Sequence, residues 1–255
     1  MSSWYQKSFG REYLRLYPHR DAVEAREDIR KIVDLITPPK DALLLDLACG
    51  AGRHLLALYE MGFPRLAGLD LSEDLLREAK GNLQRAGATR VALVRGDMRE
   101  IPWNQCFTTV LLLFTSFGYF EEDEENRKVF QAVFRAMNGG GNFLIDYLNR
   151  DHIITNLVPQ DEKRRSGLHI ESVRNLTEGN RRVEKTIRVT SPGGEERAFH
   201  ESVRLFSPAE MERMLSAAGF VRIRRFGSLL GEPFGPQSKR LILVGTKPEK
   251  GGSGD

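Results

Sequence analysis

In the segment Asp46-Leu47-Ala48-Cys49-Gly50-Ala51-Gly52 an acid lies in the apolar run Leu43–Leu47, and glycines follow it. A strand that ends in an acid, turns through glycine and enters a helix brings a ligand against bare backbone. Glycine has no Cβ and tolerates positive φ. A second acid, Asp70, closes the next apolar run about 20 residues past Gly50, a spacing that suits hydrogen bonds to ribose hydroxyls. A dinucleotide site fits poorly, because GxGxxG would need glycine at Leu55, and Asp46 would repel a pyrophosphate. A ligand with a cationic amine and a ribose but no phosphate would be attracted instead.

These residues need strands to carry them to one edge. Leu43–Leu47, Arg65–Asp70, Arg90–Val94, Phe107–Phe114 and Asn142–Tyr147 read as strands. The helices between them cover Arg53–Met61, a stretch capped by Ser72 and closed by Gly87, and Asp123–Met137, with Gly139-Gly140-Gly141 breaking the last. That alternation predicts a doubly wound α/β fold with a mostly parallel sheet. Ahead of it, Phe9, Tyr13 and Leu16 recur at helical spacing, and a second helix starts at Asp21 with Glu24 three residues on.

After Asn149 the rhythm changes. A short helix is expected over 152–157, then three alternating stretches, Leu168–Leu176, Val183–Val189 and Phe199–Leu205, which read as an antiparallel meander. Ser207-Pro208-Ala209-Glu210 starts a helix, and Phe220–Phe226 and Arg240–Val244 are the final strands. The division expected is one domain over 1–247. It has a helical cap at 1–40, a core at 41–149 and 207–247, a β insertion at 150–206, and a disordered tail at 248–255.

Composition narrows the field. Lysine and arginine total 38 against 35 acids, a formal net charge of +3, too balanced to argue for nucleic acid. The longest apolar runs fall far short of the ~20 residues of a membrane span, and the first residues lack the apolar core of a signal peptide. Two cysteines make neither a disulfide framework nor a four-cysteine zinc site, and the histidines show no metal-ligand spacing. The expectation is a cytoplasmic protein with no metal.

The ordered motifs resemble those of the class I S-adenosylmethionine-dependent methyltransferases over Leu43–Asp146, with the last helix and strands completing the pattern. LLDLACGAG resembles the first motif, LAGLDLS the second, VRGDMREIPW the third, FTTVLLLFTSFGYF the fourth, and MNGGGNFLIDY the glycine turn before strand five. The resemblance implies a Rossmann-like seven-stranded sheet with an antiparallel last strand, and S-adenosyl-L-methionine as cofactor, with S-adenosyl-L-homocysteine as product. It places Asp46, Ala48, Cys49, Gly50, Ala51, Gly52 and Arg53 around the cofactor. Asp70 lies on the ribose, Leu71 beside the adenine, and Asp97 on the adenine amino group with Met98 packed near it. Phe114, Ser116 and Tyr13 complete the set, Tyr13 from an N-terminal lid that also holds Tyr5 and Phe9. Cys49 reads as packing.

Tyr147, His152 and Tyr119 are the candidates to touch the methyl acceptor. The Asn/Asp-Pro-Pro-aromatic motif of nucleobase amino methyltransferases is absent from the sequence after strand four, as is Pro-Cys. A small-molecule acceptor, an amine for preference, is therefore expected. Methylation of RNA or protein and a non-catalytic cofactor-binding protein are the alternatives. The insertion offers a substrate cover or a homodimer face.

Overall fold

A computed structural model describes residues 4–5, 22–165 and 167–249. The expected helix over Phe9–Leu16, with Tyr13, His19, the cap at Asp21 and most of the tail, lies outside the described residues.

Strand β1 (Leu43–Leu47) lies inside a seven-stranded sheet, flanked on both edges, and apart from Asp46 its side chains are all leucine, as burial on both faces requires. Leu45 and Leu47 enter one apolar cluster and Leu44 the other, as the two-residue strand period requires. Parallel neighbours β2 (Arg65–Asp70) and β4 (Phe107–Leu112) flank it, in registers that set Asp46 beside Gly68 and Leu111. Beyond β2 lies β3 (Ala92–Arg95), and beyond β4 lies β5 (Met137–Leu148). Strand β11 (Arg240–Thr246) pairs antiparallel with β5, and β10 (Val221–Phe226) closes that edge. The order β10-β11-β5-β4-β1-β2-β3 is the mostly parallel sheet with an antiparallel last strand expected from the sequence.

Helices α1 (Ala22–Ile36), α2 (Arg53–Glu60), α3 (Glu73–Arg85), α4 (Asp123–Ala136) and α6 (Pro208–Ala217) cover the sheet. Their starts follow local chemistry. The Ser72 hydroxyl accepts from the Leu75 amide, and Ser207 with Glu210 forms the full reciprocal box. A short helix, α5 (Arg150–Asn156), follows β5, with Asn149 as its cap.

Two expectations need correction. Gly139–Gly141 does not separate helix from strand: α4 ends at Ala136, and β5 runs through the glycines. A Cβ on Gly141 would come within 2.8 Å of the Thr108 carbonyl, so the close approach of β4 requires glycine there. The meander has four strands rather than three: β6 (Gln160–Arg165), β7 (Leu168–Thr177), β8 (Arg182–Thr190) and β9 (Glu196–Arg204). The missed strand reads Gln-Asp-Glu-Lys-Arg-Arg and has no apolar period to detect. It is an exposed edge held by its ladder with β7.

Candidate cofactor site

The carboxyl ends of β1 to β4 open onto one cavity of ≈ 700 Å³, within the usual range for small-molecule sites, about 300–1,000 Å³. Its base is the loop after β1. Ala48, Gly50 and Gly52 all take positive φ, at 59°, 54° and 76°. Ala48 bears a Cβ there, a strain that the fixed loop must hold. Asp70, from the end of β2, ties the loop down. Its carboxylate accepts from the Gly50 amide and from the Ser72 amide, each at 2.8 Å. Burial raises the Asp70 carboxyl, and these amides draw it partly back.

Asp46 is 1% exposed and lines the cavity. Its Oδ2 has no hydrogen-bond partner among the described residues, and the nearest imidazole nitrogen, His54 Nδ1, lies 4.0 Å away. Burial pushes its carboxyl up to about 7, with the Arg53 charge opposing and that of Asp70 adding. A buried acid aimed into a cavity without a donor is costly until a donor arrives.

Ala48, Cys49, Gly50, Ala51, Arg53, Leu71, Asp97, Met98, Phe114 and Ser116 also line the cavity, as the sequence led one to expect. Cys49 is both lining and packing: its buried thiol is raised by desolvation, and it occupies the space left by Gly68, where a Cβ would lie 2.8 Å from its sulfur. Gly52 is not in the lining. It opens α2, and a Cβ there would meet the Ala79 methyl at 3.0 Å, so its role is to let α2 and α3 approach. Asp97 is gripped by Arg99, through Nε at 3.0 Å and an Nη at 2.6 Å. Burial pushes the Asp97 carboxyl up, but the Arg99 hydrogen bonds and charge outweigh it and hold it below the ordinary range.

The opposite wall follows β4. Phe114 and Thr115 are consecutive left-handed residues, with φ of 57° and 60°. Asp146 holds this turn, accepting from the Phe114 amide through Oδ2 and from the Thr115 amide through its carbonyl. Arg240 bonds both Asp146, at 2.7 Å, and the Thr115 hydroxyl, at 2.9 Å. Neither supporting residue was singled out in the sequence. The available signal was an acid, Asp146, inside one buried strand run and a base, Arg240, at the head of the next. The Arg53 guanidinium lies 4.1 Å over the Phe114 ring and also pairs with Glu24 of α1.

The three acceptor-side candidates separate. Tyr119 lines the cavity, its ring 6.5 Å from that of Tyr5 and 5.1 Å from Trp4. Tyr147 does not reach the cavity. It is fully buried among Phe117 and Phe206, its hydroxyl donates to the Arg204 carbonyl, and burial drives its ionisation well above the ordinary value. Its side chain alternates away because the strand period turns Asp146, not Tyr147, toward the Phe114–Thr115 turn. His152 lies on α5 beside Asn156, outside the lining. Tyr5, expected in the N-terminal lid, lines the cavity, as do His54 and, outside the expected set, Ser72, Arg95 and Phe120.

Along the sheet edge the donors and acceptors run from the Asp46 carboxyl, through Asp70, to Asp97 and Met98. The buried Asp46 oxygen fits a cationic amine, Asp70 a diol, and the Gly96–Met98 wall a flat base. That donor set, on this sheet order, is what a class I S-adenosylmethionine-dependent methyltransferase requires. Residues 44–141 match the family described as "Methyltransferase domain". The chain is 32% identical over 231 residues to the dTDP-3-amino-3,4,6-trideoxy-alpha-D-glucopyranose N,N-dimethyltransferase of Streptomyces venezuelae, covering 89% of this chain and 91% of that one. It is also similar to the crystal structure of Streptomyces venezuelae DesVI (TM-score 0.68, 28% identity, 92% and 96% covered). A third likeness is to SAM-bound CalS10, an amino pentose methyltransferase from Micromonospora echinaspora (TM-score 0.69, 24% identity, 93% and 97% covered). The chain belongs to the S-adenosylmethionine-dependent methyltransferase family, and its cofactor is S-adenosylmethionine. No helix among the described residues is long and apolar enough to cross a membrane.

Proposed function

We propose that the protein methylates an amine on a small polar acceptor, and that an amino sugar carried on a nucleotide is the class to test first. The supporting observation is the extent of the likeness to the Streptomyces venezuelae amino-sugar enzyme. A match over 89% of the chain cannot leave out the whole of residues 150–206, the insertion that distinguishes this chain from a bare cofactor-binding core.

When bound, the cofactor supplies a methyl group on a sulfonium sulfur, open to in-line displacement by a neutral amine. The residues of this chain bind, orient and exclude water. Asp46 and Asp70 fix the two ends of the aminoacyl-ribose portion, and the Gly96–Met98 wall takes the base. Phe114, Tyr119 and Phe120 form the apolar side of the same cavity, which keeps water from the reacting centre. Tyr119 is the proposed acceptor-orienting group, since it is a phenol-bearing residue of that wall. An amine needs no strong base if it arrives deprotonated.

The test is transfer of labelled methyl from S-adenosylmethionine to nucleotide-linked amino sugars, with RNA and peptide amines run in parallel. Methyl groups on the sugar nitrogen are expected. Label confined to RNA or peptide, or cofactor binding with transfer to no amine, would refute the proposal.

A further inference from the structure

Arg182 and Arg204 are buried arginines of the insertion, 4% and 1% exposed, and neither touches the cavity. Both close onto the segment that follows β4. The Arg182 guanidinium donates to the carbonyls of Phe120, at 3.0 Å, and Glu121, at 3.3 Å, and to the Ser202 hydroxyl. The Arg204 amide donates to the Gly118 carbonyl at 2.8 Å, and its carbonyl accepts from Tyr147. Its guanidinium pairs with Asp123, at the start of α4, and with Glu210 of α6. Gly118 has φ of +86°, and a Cβ there would meet Tyr147 Oη at 2.8 Å and the Arg204 carbonyl at 2.9 Å. The segment is therefore seated on the end of the insertion sheet, with no room for a side chain at Gly118.

That segment carries Tyr119 and Phe120, which line the cofactor cavity. Phe120 in turn lies under the Arg99 guanidinium, 4.3 Å from ring to charge, and Arg99 grips Asp97. Contacts thus run unbroken from β8 and β9 to the cavity wall at the adenine end. Burying two arginines merely to join two elements is an expensive way to gain stability, since well-packed apolar residues do as well. Backbone carbonyls held by fixed guanidinium donors do specify a position.

We propose that Arg182 and Arg204 are positioning residues through which the insertion sheet sets the Gly118–Asp123 segment, and with it the affinity for cofactor. By reciprocity, cofactor binding must then stabilise the seam between the segment and the sheet.

Arg182→Lys keeps the charge but loses the planar set of donors that spans two carbonyls and Ser202. Its dissociation constant for S-adenosylhomocysteine, read by calorimetry, is expected to rise about tenfold, with faster amide exchange over 118–123. Ile187→Ala is the control. Ile187 is equally buried in β8, at 2% exposed, and sits opposite Ser172 of β7 and Phe199 of β9, so its truncation lowers the sheet's stability while leaving the Arg182 donors in place. An unchanged affinity in Arg182→Lys, or an equal loss in both variants, would overturn the proposal. Should Arg182→Lys not fold, the wild-type protein still decides. Adding S-adenosylhomocysteine should slow exchange of the Arg204 amide, and an amide that stays unchanged while the ligand binds contradicts the coupling. Failure of the wild type to bind S-adenosylhomocysteine would instead count against the cofactor site itself.

Discussion

The Asp46 carboxyl makes the site's charge testable. In the ligand-free protein burial lifts it from an ordinary 3.8 to about 7. Below pH 3.8 it is protonated in both folded and unfolded chains and has no effect on stability. Between 3.8 and 7 the unfolded carboxyl ionises and the folded one resists, so stability falls as pH rises. Above 7 the penalty is complete, of the order of 4 kcal/mol for about three pK units. A cationic amine placed against Oδ2 reverses the preference and draws the carboxyl into its ionised form. Cofactor binding should therefore release about 0.9 proton at pH 6 and about 0.1 at pH 8. The same linkage weakens wild-type binding of S-adenosylhomocysteine about tenfold from pH 8 to pH 6. Asp46→Asn has no proton to release and offers an amide where a carboxylate stood. At pH 8 it should bind about 10- to 100-fold more weakly, the range of a lost charge-assisted hydrogen bond, with an affinity that no longer depends on pH. Calorimetry in buffers of differing ionisation enthalpy measures both quantities. Proton release that survives in Asp46→Asn, or wild-type affinity that is flat between pH 6 and 8, would refute the assignment of Asp46 to the amine.

Three further outcomes are expected. Asp70→Asn leaves one carbonyl oxygen for the two amides that the carboxylate now satisfies, so urea denaturation should show a loss of about 1–3 kcal/mol together with weaker cofactor binding. Gly118→Ala forces a Cβ against Tyr147 Oη and the Arg204 carbonyl at positive φ. It should cost about 1–3 kcal/mol and loosen the 118–123 segment, read by thermal melts and amide exchange. Tyr147→Phe removes a buried donor from the Arg204 carbonyl, so stability should fall by about 1–3 kcal/mol. The shape of the pH–rate profile should stay that of the wild type, because the ring lies outside the cavity; a lost pH limb would restore Tyr147 to the chemistry.

The residues that line the cavity were legible because their positions are local. Asp46, Gly50, Asp70 and Asp97 each sit at or just past a strand end, and strand ends can be read from apolar runs broken by acids and glycines. Parallel pairing then brings those ends to one edge without further information. The misreadings have an equally local origin. Gly52 belongs to the same glycine run as Gly50, and only the packing of α2 on α3 separates a cavity residue from a contact residue. Tyr147 and Asp146 are adjacent in the run FLIDYL, and a one-position difference on a strand exchanges the side that props the cavity's Phe114 turn for the aromatic core. The all-polar β6 lacked any period and took its structure wholly from its neighbour.

The supporting shell was not legible, for a different reason. Arg182, Arg204 and Arg240 each bond partners 61 to 125 residues away as well as nearer groups, and nothing around them in the chain marks which arginine will be buried. In β8 and β9 the sequence alternates as it would for a sheet with one wet face, and Arg182 and Arg204 stand in that alternation like surface residues. They are buried because the insertion's near end closes against the turn after β4, a juxtaposition created by the return of the chain to Ser207 and α6. That return is what places a sheet inserted after strand five beside the cofactor cavity. Under the proposed coupling the insertion bears on the cavity without contributing a lining residue of its own among those described, by fixing the backbone that carries Tyr119 and Phe120.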